Sequence, residues 1–198
     1  MEALNQTLFL LINASAQPNS AVVALAMLFG EYAIWLVPAT LVLGWLRGND
    51  TLRQRLVEAS ASALLALLAA QIIGVMWPHP RPFMIGLGHT LIVHGADSSF
   101  PSDHLTFCWA VAFGLMMHPE ARRAGWVLAL LGLPMAWARI YIGVHFPFDI
   151  VGAALVSGIS AWLCALTGRW FAPPVVRASM IAYRPLFAPL IRRGWVTR

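Results

Sequence analysis

LVEASASALLALLAAQIIGVMW, residues 56–77, decides the class of the fold. A helix that crosses a bilayer needs about 20 mostly apolar residues, and this run supplies them. Four further stretches have the same character: 21–46, interrupted by Glu31 and Pro38; 102–118, short and with a polar start; 124–143; and 148–171. Composition agrees. Of 198 residues, 60% are hydrophobic and only 11% charged, with mean hydropathy +0.73, against about 45–50% and about 25% in a soluble domain. Disordered, collagen-like, coiled-coil and disulfide-stapled chains are excluded by the same numbers. The sequence therefore predicts an all-α polytopic membrane bundle, one domain over 1–198, with about five transmembrane helices.

The ends are too polar to span. Leu4, Leu8, Leu11 and Ile12 follow helical spacing, so residues 1–20 are expected to form an amphipathic interfacial helix. Met1-Glu2-Ala3 lacks the basic start of a cleaved signal peptide. After Phe171 come Pro173 and Pro174, and 172–198 reads as a basic cytoplasmic tail lying on a membrane surface.

Orientation follows from the basic residues, which are all arginine. With five spans, Arg47, Arg53, Arg55, Arg122, Arg123, Arg169, Arg177, Arg184, Arg192, Arg193 and Arg198 share one side, the predicted cytoplasmic one. Only Arg81 and Arg139 lie on the other. The 78–101 loop then faces outward, to the periplasm where there is one. Cys108 and Cys164 fall near opposite ends of their spans, about 15 Å apart in depth at about 1.5 Å per residue, too far for a disulfide.

The two outward arginines have polar company. His79-Pro80-Arg81-Pro82 forms one group, Pro101-Ser102-Asp103-His104 a second, and Arg139, His145 and Asp149 a third. Ionisable groups in a membrane are costly, and three clusters at one depth call for a function. Arginine forks suit phosphate oxygens. Ser102 reads as a helix N-cap, whose free N–H groups make an anion site. Pro147 suits the first turn of the last span, which puts Asp149 one turn from His145. A histidine that attacks phosphorus must be neutral, with its tautomer fixed by a carboxylate, and the His145–Asp149 spacing permits this. His104 is the candidate acid for the leaving oxygen. Arg81, Arg139 and the 102–104 backbone neutralise charge, so no metal or cofactor is called for.

These blocks resemble the three-part signature of the type 2 phosphatidic acid phosphatase superfamily, over roughly residues 71–155. The resemblance implies that His145 forms a phosphohistidine, Asp149 orients it, and His104 protonates the leaving group. It implies phosphate binding by Arg81, Ser102, Asp103 and Arg139. The Pro-His-Pro-Arg-Pro-Phe run at 78–83, the stretch 96–100 and an Arg-Gly-Trp near the C-terminus are similar to bacitracin-resistance-type undecaprenyl diphosphate phosphatases. The expected reaction is hydrolysis of undecaprenyl diphosphate to the monophosphate for lipid-carrier recycling in wall synthesis. The expected partners are that lipid and membrane lipids, with no nucleic acid; oligomeric state is left open. The alternatives are a phosphatase for phosphatidate, phosphatidylglycerophosphate or lipid A phosphate, and a non-catalytic lipid-binding membrane protein.

Three positions depart from the family pattern: Gly74 replaces a lysine, Asp103 a glycine and Ala138 a serine. His79 is a candidate to compensate for the first. Asp97 has two open roles, a water-mediated contact to the diphosphate or the positioning of an arginine. Glu31 also has two, a neutral core group beside Tyr32 or a partner for a site arginine. Of His79, His89 and His94, at most one is expected to touch substrate, and His118 reads as incidental.

Overall fold

The computed structural model describes residues 1–198, and every regular element is a helix. Helix α1 covers Glu2–Ile12; α2, Ser20–Met27; α3, Leu36–Arg47; α4, Asp50–Met76. Helix α5 covers Asp103–Met116; α6, Arg122–Tyr141; α7, Pro147–Leu186; α8, Ala188–Arg192. Four helical segments are long and apolar enough to cross a membrane: Ser20–Arg47, which contains α2 and α3, then α4, α6 and α7.

The expected short segment at 102–118 is α5, 14 residues or about 21 Å long. It is the core of the bundle, enclosed by α4, α6 and α7, with Leu105, Cys108, Val111, Ala112 and Leu115 fully buried. Small residues permit this enclosure. A Cβ at Gly114 would stand 2.9 Å from the Ala59 backbone of α4. Hydroxyls tie the helices together: Ser62 donates to the Ala110 carbonyl at 3.1 Å and Ser157 to that of Thr106 at 3.0 Å. Both cysteines are buried free thiols.

The first span does not wind evenly. A π turn at Leu28–Tyr32 and a 3₁₀ turn at Ala33–Trp35 separate α2 from α3. Pro38 explains the 3₁₀ stretch: it has no N–H for the Ile34 carbonyl, and its ring crowds that group. The π turn swings Gly30 and Glu31 toward α6, where a Cβ on Gly30 would already press on Ile142 at 3.2 Å.

The N-terminal stretch is helical, as expected, and the C-terminal one differs from expectation. In α1 the buried residues are Asn5 and Phe9, while Leu4 and Leu11 face outward. Phe9 packs edge-on against Phe146, and Asn5 accepts a 3.0 Å bond from the Phe148 N–H. The helix thus docks through Asn5, Phe9 and Ile12 and turns Leu4 and Leu11 outward. At the other end, α7 does not stop near Phe171 but runs through Pro173 and Pro174 to Leu186. At about 60 Å it is twice the thickness of a hydrocarbon core. Val176, Met180 and Tyr183 are buried against Trp45, Leu46 and Val57, and that packing holds the helix across the prolines. The chain then folds back, so 172–198 is a docked helical extension rather than a surface-lying tail.

Two arginines read as topogenic have partners within the bundle, and one of them holds the returning chain. Arg53 is fully buried, pairs with Asp50 at 3.1 Å and donates to the carbonyls of Trp45, Thr197 and Arg198. Arg55 pairs with Glu58 at 2.9 Å, and His118 Nε2 lies 2.6 Å from the same buried carboxylate. His118 thus packs on the Arg55–Glu58 pair at this end of the bundle.

Candidate active site

The connection 77–102, the start of α5 and the turn between α6 and α7 meet at one end of the bundle. His145 lies in that turn, 2% exposed. Its Nδ1 is 3.0 Å from the Ser99 carbonyl and 3.3 Å from Asp149 Oδ2. A carbonyl only accepts, so Nδ1 carries the proton and Nε2 keeps its lone pair. Nε2 faces Arg81 Nη1 at 3.2 Å, which donates to that lone pair. Burial, then the charges of Arg139 and Arg81, push the imidazole pKa well below its usual value, so it is neutral at pH 7.

Asp149 is fixed by the start of α7. Pro147 occupies the first turn, and Asp149 Oδ2 reaches back to the Phe146 N–H at 2.8 Å, closing the helix end. Its second oxygen, Oδ1, is buried without a partner.

Each arginine is held by a carboxylate. Arg81 is 3% exposed; its Nε donates to Asp97 Oδ1 at 2.8 Å, Nη1 to the Val144 carbonyl at 3.0 Å and Nη2 to the Ser98 carbonyl at 3.3 Å. Burial alone would raise the Asp97 pKa, but the hydrogen bond and charge of Arg81 outweigh it and hold the carboxyl below its usual value. Arg139, 1% exposed, donates through Nη1 to the Gly30 carbonyl at 3.3 Å and to Glu31. Its Nε is buried and unpaired. Glu31 thus pairs with Arg139, and Asp97 with Arg81.

Ser102 sits at the N-cap position of α5, but its side chain caps nothing. Its Oγ is fully buried without a partner. The first intrahelical acceptor bond is taken by the Thr106 N–H, which leaves the N–H groups of 103–105 free. Asp103 accepts from Gln71 Nε2 at 3.3 Å through both carboxylate oxygens. His104 lies in the same first turn, near enough for Arg139, His145, His94 and Arg81 to act on it electrostatically.

The structure does not bring His79 to the arginines. It packs edge-on to Phe146, with Nε2 3.8 Å from Glu2. The loop histidine that joins the site is His94: its Nε2 lies 3.2 Å from Arg139 Nη2, and its ring centre 6.5 Å from that of His145. No spacing signal in the sequence marks it. The carbonyls of Gly30, Ser99 and Val144 are also invisible in the sequence, because any residue type supplies one. Position 74 is crowded by this loop: a Cβ on Gly74 would stand 3.3 Å from the Ser98 Cβ. The space beyond is a cavity of about 160 Å³ that includes Gln71, Asp97 and Asp103 in its lining.

The chain is 34% identical to the putative undecaprenyl-diphosphatase YbjG of Escherichia coli, over 99% of this chain and 98% of that one. It is 33% identical to the undecaprenyl-diphosphatase BcrC of Bacillus subtilis, over 81% and 82%. The crystal structure of Aquifex aeolicus LpxE superposes with a TM-score of 0.63 at 24% identity, covering 82% of this chain and 94% of that one, which supports the fold. The family model for the PAP2 superfamily matches residues 55–172, and with its several membrane-spanning helices this chain is a multi-pass member of that superfamily.

Proposed function

We propose that this protein hydrolyses undecaprenyl diphosphate to undecaprenyl phosphate and inorganic phosphate through a phosphohistidine on His145. The observation that carries the reading is the fixed tautomer: Nδ1–H is held by Ser99 and Asp149, and the Nε2 lone pair is free of protons. Arg81 releases that lone pair as its guanidinium turns to the incoming phosphoryl group. Nε2 attacks the terminal phosphorus, and the bridging oxygen leaves with the lipid monophosphate, taking a proton from His104. Arg81, Arg139, the Ser102 hydroxyl and the free N–H groups at the start of α5 bear the charge that builds on the phosphoryl oxygens. Water then attacks the phosphohistidine, with His104 as the base. No step in this sequence calls for a metal.

The choice of lipid rests on the relatives that carry the undecaprenyl-diphosphatase name across most of this chain. The arginine distribution supports a site on the outer face of the cytoplasmic membrane, with the C-terminus inside and the whole chain acting as one phosphatase domain. The test is phosphate release in detergent, with EDTA present, from undecaprenyl diphosphate, phosphatidate and phosphatidylglycerophosphate side by side. The expected result is preference for the diphosphate and no effect of EDTA. Equal rates on all three support a general lipid phosphatase instead. No turnover of any overturns the enzyme reading.

A further inference from the structure

The two arginines of the site are outnumbered by carboxylates. Asp97 and Glu31 hold them directly, Asp149 lies behind His145, and Asp103 lines the adjoining cavity. The lysine usual at position 74 is absent, and Ser98 crowds the place where its stem would begin. A lipid diphosphate adds further negative charge. Positive charge therefore has to enter the site with the substrate, and the structure shows where a proton can be taken.

Arginine has no lone pair, so the 3.2 Å contact from Arg139 Nη2 makes His94 Nε2 an acceptor. His94 Nδ1 is 3.2 Å from the Gly95 carbonyl and so carries the proton. In the free protein His94 is thus neutral, with a lone pair aimed at the fork that is to bind phosphate. Burial and the charges of Arg81 and Arg139 keep it so, lowering its pKa. When a phosphoryl group takes the Arg139 fork, the neighbour of Nε2 becomes an anionic oxygen. A lone pair is repelled there, while an N–H⁺ makes a charge-assisted bond.

We propose that His94 is a phosphate ligand that takes one proton from solvent as the substrate binds, supplying the cationic contact that position 74 lacks. The proposal rests on the reading of this site as a prenyl diphosphate phosphatase. The surroundings suit both states of the ring. Asp97 Oδ1, 3.9 Å from Nδ1, steadies the imidazolium. Arg139 comes from α6 with Glu31 of the first span bound to it, Arg81 from the connecting segment, His145 from the turn before α7 and His104 from α5. The His94 side chain is 22% exposed, which gives the proton a path from water.

The test uses the full chain in detergent. Calorimetric titration with inorganic diphosphate at about pH 7.5, in two buffers of different ionisation enthalpy, counts the protons bound with the ligand. Wild type should take up about one proton more than His94→Gln, which cannot become cationic. His94→Lys, already charged, should keep most of the affinity without the extra proton. With farnesyl diphosphate as substrate, His94→Gln should raise KM by roughly tenfold to a hundredfold, more than it lowers kcat. Equal proton uptake in wild type and His94→Gln overturns the proposal. So do an unchanged KM, no binding of inorganic diphosphate to wild type, and binding that needs Mg²⁺ whatever residue stands at 94. Proton-coupled binding with no turnover of any prenyl diphosphate would instead sink the functional reading and leave the role of His94 intact.

Discussion

At the scale of single residues, the site is organised by what each hydrogen bond forces on its partner. The Ser99 carbonyl and Asp149 together put the His145 proton on Nδ1, and replacing Asp149 by Asn removes the charge that stabilises the imidazolium formed during transfer. Asp149→Asn should lower kcat by roughly a hundredfold to ten-thousandfold with little change in KM, measured as phosphate release. The pH profile gives a second check. The folded pKa of His145 is lowered, so its protonated, inactive form appears only well below the ordinary histidine range. Acidifying from about pH 7.5 to about pH 6 should therefore cause no loss of kcat through the nucleophile. A loss centred near the ordinary histidine pKa whose midpoint moves in Asp149→Asn would contradict this. The charged members of the site were legible in the sequence because phosphate chemistry demands those residue types. His94 was not, because its place depends on how the 77–102 connection folds over Arg139, and Glu31 was legible only as an anomaly in an apolar span.

At the scale of elements, two irregular features aim the charges. The π turn at Leu28–Tyr32 presents Gly30 and Glu31 to Arg139, and π turns of this kind recur where a helix serves a site. Glu31→Gln removes the charge but keeps an acceptor, and should raise KM about tenfold while leaving the melting midpoint within a few degrees. The short α5 is the second feature. Its enclosure depends on glycines facing it, such as Gly132, which lies against the Trp109 indole. Gly132→Ala forces that indole to move and should destabilise the protein by about 1–3 kcal/mol, read as a lower melting midpoint in detergent. Hydropathy located α5 and its polar start, but not that the helix is enclosed on all sides, since enclosure depends on which helices pack around it. The prolines at 173 and 174 misled in the other direction, since tertiary packing holds α7 helical across them.

At the scale of the whole molecule, the two ends of the bundle do different work. One end holds the paired arginines and the histidines. The other is fastened by Arg53, whose guanidinium binds the returning chain at Thr197 and Arg198. Thr197 Oγ1 also reaches the Gly48 carbonyl at 2.7 Å. Thr197→Ala should cost about 1–3 kcal/mol of stability and leave KM unchanged, which separates anchoring from catalysis. The account as a whole stands on one covalent species. Brief mixing with undecaprenyl diphosphate labelled in its terminal phosphate, followed by alkaline quenching and peptide mapping, should find acid-labile phosphate on His145 and none in His145→Ala. Label on any other residue, or full turnover by His145→Ala, would contradict it.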